Sequence, residues 1–163
     1  AQVGQGKCHV YEGDFAEALP HFAQVINDKR SLEDQGLLAQ AYTGRGDVRY
    51  AMIKKELAGG NVQEDQLGRI TESLTDAALD YVRVAQFYVE SAGDDLYPAT
   101  VGAARVWATQ FTLTGEKDCD LAQRAAKYFF TAHKMLPRGE TRRLLTNEVK
   151  RFLAKRDEAC KPK

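Results

Sequence analysis

The sequence predicts an all-α fold, and three observations carry that expectation. Only four prolines interrupt 163 residues, and long stretches are built from Ala, Leu, Gln, Glu, Lys and Arg, which lose least on entering a helix. Apolar residues recur three and four apart, the spacing that gathers them on one helical face. Alternating β-branched runs bounded by turn pairs, which would announce hairpins, are absent. With 44% apolar and 28% charged residues the composition is ordinarily globular, and the length suits one domain over 1–163 with a proper core.

Eight helices are expected, at about 2–11, 14–28, 32–45, 47–58, 63–92, 96–114, 118–136 and 139–159. Asp14 and Glu17 read as a capping box that opens the second helix, and Ser31 as the cap of the third. Gly46 then ends the third helix and Asp47 opens the fourth. Gly59-Gly60-Asn61 breaks the chain before a long central helix over 63–92, marked by Leu67, Ile70, Leu74, Ala77, Tyr81, Val84 and Tyr88. That stripe reads as a core face rather than a coiled-coil seam, because Ala78, Val82 and Ala85 widen it. Asp95 caps the sixth helix with Pro98 in its first turn, and Asp120 with Gln123 forms a second capping box. In the last helix Leu145, Val149 and Phe152 share a face, and basic residues dominate the rest, as suits a helix that closes a stack.

Three segments repeat a pattern within this series: Gly6, His9, Gly13; Ala39, Tyr42, Gly46; and Ala108, Phe111, Gly115. The final glycines lie 33 and 69 residues apart, one period and about two. Gly13-Asp14-Phe15 with Ala18 and Phe22, Gly46-Asp47 with Ala51, and Trp107-Ala108 with Ala125, Phe129, Ala132 and Pro137 complete the copies. On these residues the chain resembles the tetratricopeptide (TPR) family over about two-thirds of its length. Lys55 departs from the pattern where an aromatic is due, and His9 where a Tyr is due. The resemblance implies a helical-hairpin solenoid with repeats near 1–28, 32–58 and 96–136, the long helix 63–92 set between them and a capping helix at 139–159.

It also implies a concave face lined by the first helix of each pair, here Lys7, Tyr11, Gln40, Thr43, Arg105 and Thr109, with Gly36, Gly44 and Gly102 leaving room for a peptide. The function expected is therefore a non-enzymatic scaffold that holds a peptide or protein partner. Dense Lys and Arg, as in TPR domains that clamp acidic C-terminal tails, are missing from that set.

Charge is unevenly spread. From His133 onward ten Lys and Arg face four acids, a surplus of six, so the first 132 residues of this net-neutral chain carry a deficit of six. Stacking of an acidic front on a basic end would make a self-assembling component, a homo-oligomer, one alternative to the scaffold. A second alternative is contact of Arg142, Arg143, Lys150 and Arg151 with nucleic acid or a membrane surface. It is disfavoured by zero net charge and the lack of interleaved aromatics.

No constellation suggests catalysis, a metal or a cofactor. His9, His21 and His133 are scattered, and no phosphate-binding glycine loop follows a strand. The acidic pairs Glu33-Asp34, Glu64-Asp65 and Asp94-Asp95 fall at expected helix starts, where they suit the helix dipole. No stretch reaches the ~18 apolar residues of a membrane span. Cys119 and Cys160 would meet in a disulfide if the helices they flank are antiparallel neighbours; free thiols, with Cys8, are the slightly preferred reading. The opening Ala1-Gln2 suits a chain matured by leader removal and equally a trimmed one, so export or a periplasmic location is only slightly favoured over the cytoplasm.

Overall fold

The computed structural model describes residues 1–60 and 62–161; Asn61, part of the expected break, lies outside them. Among these residues the chain is all-helical, with seven α-helices and no strand. They are α1 (Gln2–Glu12), α2 (Phe15–Asn27), α3 (Gln35–Ala58), α4 (Glu64–Phe87), α5 (Leu96–Leu113), α6 (Cys119–Met135) and α7 (Glu140–Ala159). Each helix packs on the next, and α3 also touches α1 and α5.

Seven helices replace the expected eight because α3 runs straight through Gly46-Asp47. Gly13 and Gly115 do make turns, with φ of 78° and 75°, a left-handed backbone that favours glycine. Gly46 stays helical for a tertiary reason. Arg45 and Arg49, which straddle it, both grip Asp80 of α4: Arg45 Nε and Nη2 donate at 2.9 and 2.6 Å, and Arg49 Nη1 at 2.8 Å. Asp80 is buried, so a turn at 46–47 that parted the two arginines would leave its charge poorly paired.

Local caps follow the sequence with small shifts. Asp14 accepts from Glu17 N as read. The third helix is capped by Asp34, which accepts from Leu37 N, while Ser31 lies in the 3-10 turn before it. Likewise Asp118, not Asp120, caps α6 through Leu121 N. The long helix ends at Phe87, five residues earlier than expected, and Tyr88 turns to stack on Tyr42 with ring centroids 6.0 Å apart. Its stripe is a core face: Ile70, Leu74, Ala77, Tyr81 and Val84 are all buried.

A small set of ring-in-notch contacts spaces the helices. Phe22 of α2 lies between Gly6 of α1 and Gly44 of α3, so close that a Cβ at Gly44 would meet its ring at 2.4 Å. Tyr81 of α4 repeats the arrangement between Gly46 of α3 and Gly102 of α5, where a Cβ would meet it at 3.0 and 2.7 Å. The small residues at 44 and 102 therefore hold rings from inside the fold, not space for a peptide. Two cores result: one built by α1, α2 and one side of α3, the other by the rest of α3 with α4 to α7.

Cys119 and Cys160 are joined by a disulfide, with Cα atoms 5.1 Å apart, which overturns the preference for free thiols. It forms because α6 and α7 are neighbours, which brings the start of one beside the end of the other. Cys8 is free and exposed. Among the described residues no helix is long and apolar enough to cross a membrane.

Candidate protein-interaction groove

The contacts of α3 with α1 and α5, and an ion pair from α5 to α7, set these four helices along one side of the molecule. On α3 the residues Gln40, Thr43, Asp47 and Tyr50 follow at spacings of three and four, so one continuous helix aligns them there. Two recesses open along this side.

The first, of about 290 Å³, lies at the N-terminal end between Lys7, Val10 and Tyr11 of α1, Thr43 and Asp47 of α3, and Asp95 from the turn before α5. The Phe22 ring and Gly44 form part of its wall. Tyr81 reaches it from behind and donates its hydroxyl to Asp47 Oδ1 at 2.6 Å. Enclosure by protein atoms raises the Asp47 carboxyl above its ordinary value; Asp95 adds to this, while the Tyr81 hydrogen bond, Lys54 and Lys7 pull it down. Burial and the Asp47 charge raise the Tyr81 phenol, so its proton stays on as donor.

The second recess, of about 590 Å³, lies between Tyr50 and Leu57 of α3, Arg105, Thr109 and Leu113 of α5, and Glu148 of α7. The Tyr50 hydroxyl meets Thr109 Oγ1 at 2.9 Å, and Thr109 in turn donates to the Arg105 carbonyl. Arg105 bridges to Glu148 through Nε and Nη2 at 2.9 and 2.8 Å. That hydrogen bond is the main reason the Arg105 guanidinium is held above its ordinary value, against the opposing effect of burial. The recess continues over α5 and α7, past Leu144, Arg151 and Lys155. Leu144 is 59% exposed, an apolar side chain offered to solvent beside the cleft.

The sequence-predicted residues divide between these recesses. Lys7, Tyr11 and Thr43 meet in the first, and Arg105 and Thr109 in the second. Gln40, half-buried on α3, lines neither. The four basic residues of α7 spread over about half of the helix circumference, with Arg143 and Lys150, seven apart, sharing a face. Arg142 donates to the Leu136 carbonyl at 3.2 Å, and Arg143 lies 3.8 Å from Glu140. Arg142 and Arg151 are nine residues apart, which at ~3.6 residues per turn puts them on opposite sides of the helix. Only Arg151 of the four borders the groove.

Asp47, Tyr50, Asp95 and Glu148 were not anticipated. The first two were hidden by the expected turn at Gly46, which cut the stripe Gln40, Thr43, Asp47, Tyr50 in half. Reading through that glycine would have found them. No spacing in the sequence links Glu148 to Arg105, since their meeting depends on how α7 crosses α5.

No family model matches the chain, and no curated protein and no solved structure matches it either.

Proposed function

We propose that this protein is a non-enzymatic scaffold that binds a peptide or partner protein in the groove along α1, α3, α5 and α7. The observation that carries the reading is the pair of recesses on one side, each combining apolar walls with hydrogen-bonding groups from several helices. Such surfaces suit an extended chain, which needs pockets for side chains and polar groups for its backbone. The repeated ring-in-notch contacts and the adjacency of alternate helices support a hairpin solenoid of the tetratricopeptide kind. In that arrangement α1, α3 and α5 are the first helices of successive hairpins and α7 is the cap. The Cys119–Cys160 disulfide favours an oxidising compartment outside the cytoplasm.

The test is affinity capture from native lysate with the wild type and with Tyr11, Tyr50, Arg105 and Glu148 all changed to Ala. A partner held by the wild type and lost by the folded variant is the expected result. A partner held equally by both would move the site off this face. Capture of only further copies of the chain would favour the self-assembling alternative, which the split between acidic front and basic end supports.

A further inference from the structure

The recess at the N-terminal end of the groove has more hydrogen-bond acceptors than the fold uses. Thr43 is 3% exposed, and its hydroxyl has no hydrogen-bond partner among the described residues. A Thr inside a helix ordinarily donates to a carbonyl one turn back, as Thr100 and Thr109 do here, so an idle buried hydroxyl needs a reason. Asp47 and Asp95 line the same recess, and one Asp47 oxygen is already engaged by Tyr81. Against these two carboxylates stand Lys7 in the lining and, acting on Asp47 from further along α3, Lys54. Val10, Phe22 and Gly44 supply apolar wall, and Tyr11 stands at the site 92% exposed, with no packing role to account for its ring.

We propose that this recess receives a lysine side chain of the bound partner, with the ammonium held by Thr43, Asp47 and Asp95. An ammonium carries three donors, which matches three acceptors, two from α3 and one from the turn before α5. The methylene stem would lie on the apolar wall, as lysine stems do, and the Tyr11 ring could cover the charge from the solvent side. About 290 Å³ suits one side chain rather than a whole ligand molecule. In the empty recess Lys7 partly balances the acids, which makes it a competitor the incoming lysine displaces. The inference rests on the scaffold reading and names the chemistry of one part of that groove.

Acid weakens this binding, because the carboxylates must be ionised. The groups that face Asp47 are Lys7 of α1, Lys54 of α3, Tyr81 of α4 and Asp95. Since the Asp47 carboxyl is raised, the loss begins at a higher pH than for an ordinary aspartate.

The experiment is an amide chemical-shift titration of the whole chain with Nα-acetyl-lysine N-methylamide, alongside the norleucine analogue and calcium chloride. The expected result is saturable shifts at Thr43, Asp47 and Asp95 with the lysine compound alone. Asp47→Asn, which keeps an acceptor for Tyr81, weakens binding about tenfold, the worth of one charge-assisted contact. Lys7→Ala, on an exposed part of α1, tightens it. No saturable shift, an equal response to norleucine, or a response to calcium alone would each overturn the proposal. None of these would touch the groove reading, which is judged by capture with the Tyr11, Tyr50, Arg105 and Glu148 variant.

Discussion

Gly44 and Gly102 are required by the rings that stand against them, not by any turn. A methyl group at Gly102 would sit 2.7 Å from the Tyr81 ring, which is 1% exposed and has nowhere to move. Gly102→Ala should therefore destabilise by about 1–2 kcal/mol, because overpacking outweighs the roughly 1 kcal/mol that alanine gains in a helix. Gly68, with nothing within 4 Å of its added Cβ, is the matched control: Gly68→Ala should stabilise by about 0.5–1 kcal/mol. Urea denaturation of the two variants measures both, and two changes of the same sign would refute the notch argument. From sequence these glycines could be recognised as exceptional inside helices, but not what fills them. A turn, a peptide and a ring all call for the same missing side chain.

At the scale of the element, α3 separates what was legible from what was not. The capping signals and apolar spacings placed five of the other six segments within a few residues, since those signals are local. The sixth, the long helix, was found but overrun by five residues. Continuity across Gly46 was invisible because it depends on Asp80, far along the chain, gripping Arg45 and Arg49 together. Proline tests this directly. At the start of a helix Asp47→Pro would be tolerated, whereas inside α3 it should cost about 3 kcal/mol or more. Asp47→Ala supplies the reference for the lost side chain, and a proline variant no less stable than it would restore the turn.

The disulfide acts on another element, tying the end of α7 to the start of α6. Closing 41 residues, it should contribute about 4 kcal/mol by the chain-entropy estimate. Reduction, or Cys160→Ser, should lower stability by that order in thermal unfolding and expose α7 amides to hydrogen exchange first. Unchanged exchange along α7 would show that helix packing alone holds it.

For the molecule as a whole, the lining of the candidate groove was legible in part, because it follows from which helices are neighbours. The TPR resemblance pointed to the first helices of the hairpins, and five of six residues chosen on that basis border the two recesses. What it could not supply were partners from distant elements: Asp95 beside Asp47, and Glu148 across from Arg105. Outside these recesses, α4 and α6 offer their own exposed apolar groups, Leu79, Phe87 and Phe130. A partner seated on those groups would leave the groove free, so which of the two surfaces a bound partner covers decides the proposal.

Side-chain footprinting of the captured complex by hydroxyl radicals decides it most directly. Tyr11 and Leu144 report on the groove, and Leu79 and Phe87 on α4; all four are more than half exposed in the free chain. Binding in the groove should protect Tyr11 and Leu144 and leave Leu79 and Phe87 as reactive as before. Protection of Leu79 and Phe87 with Tyr11 and Leu144 unchanged would contradict it.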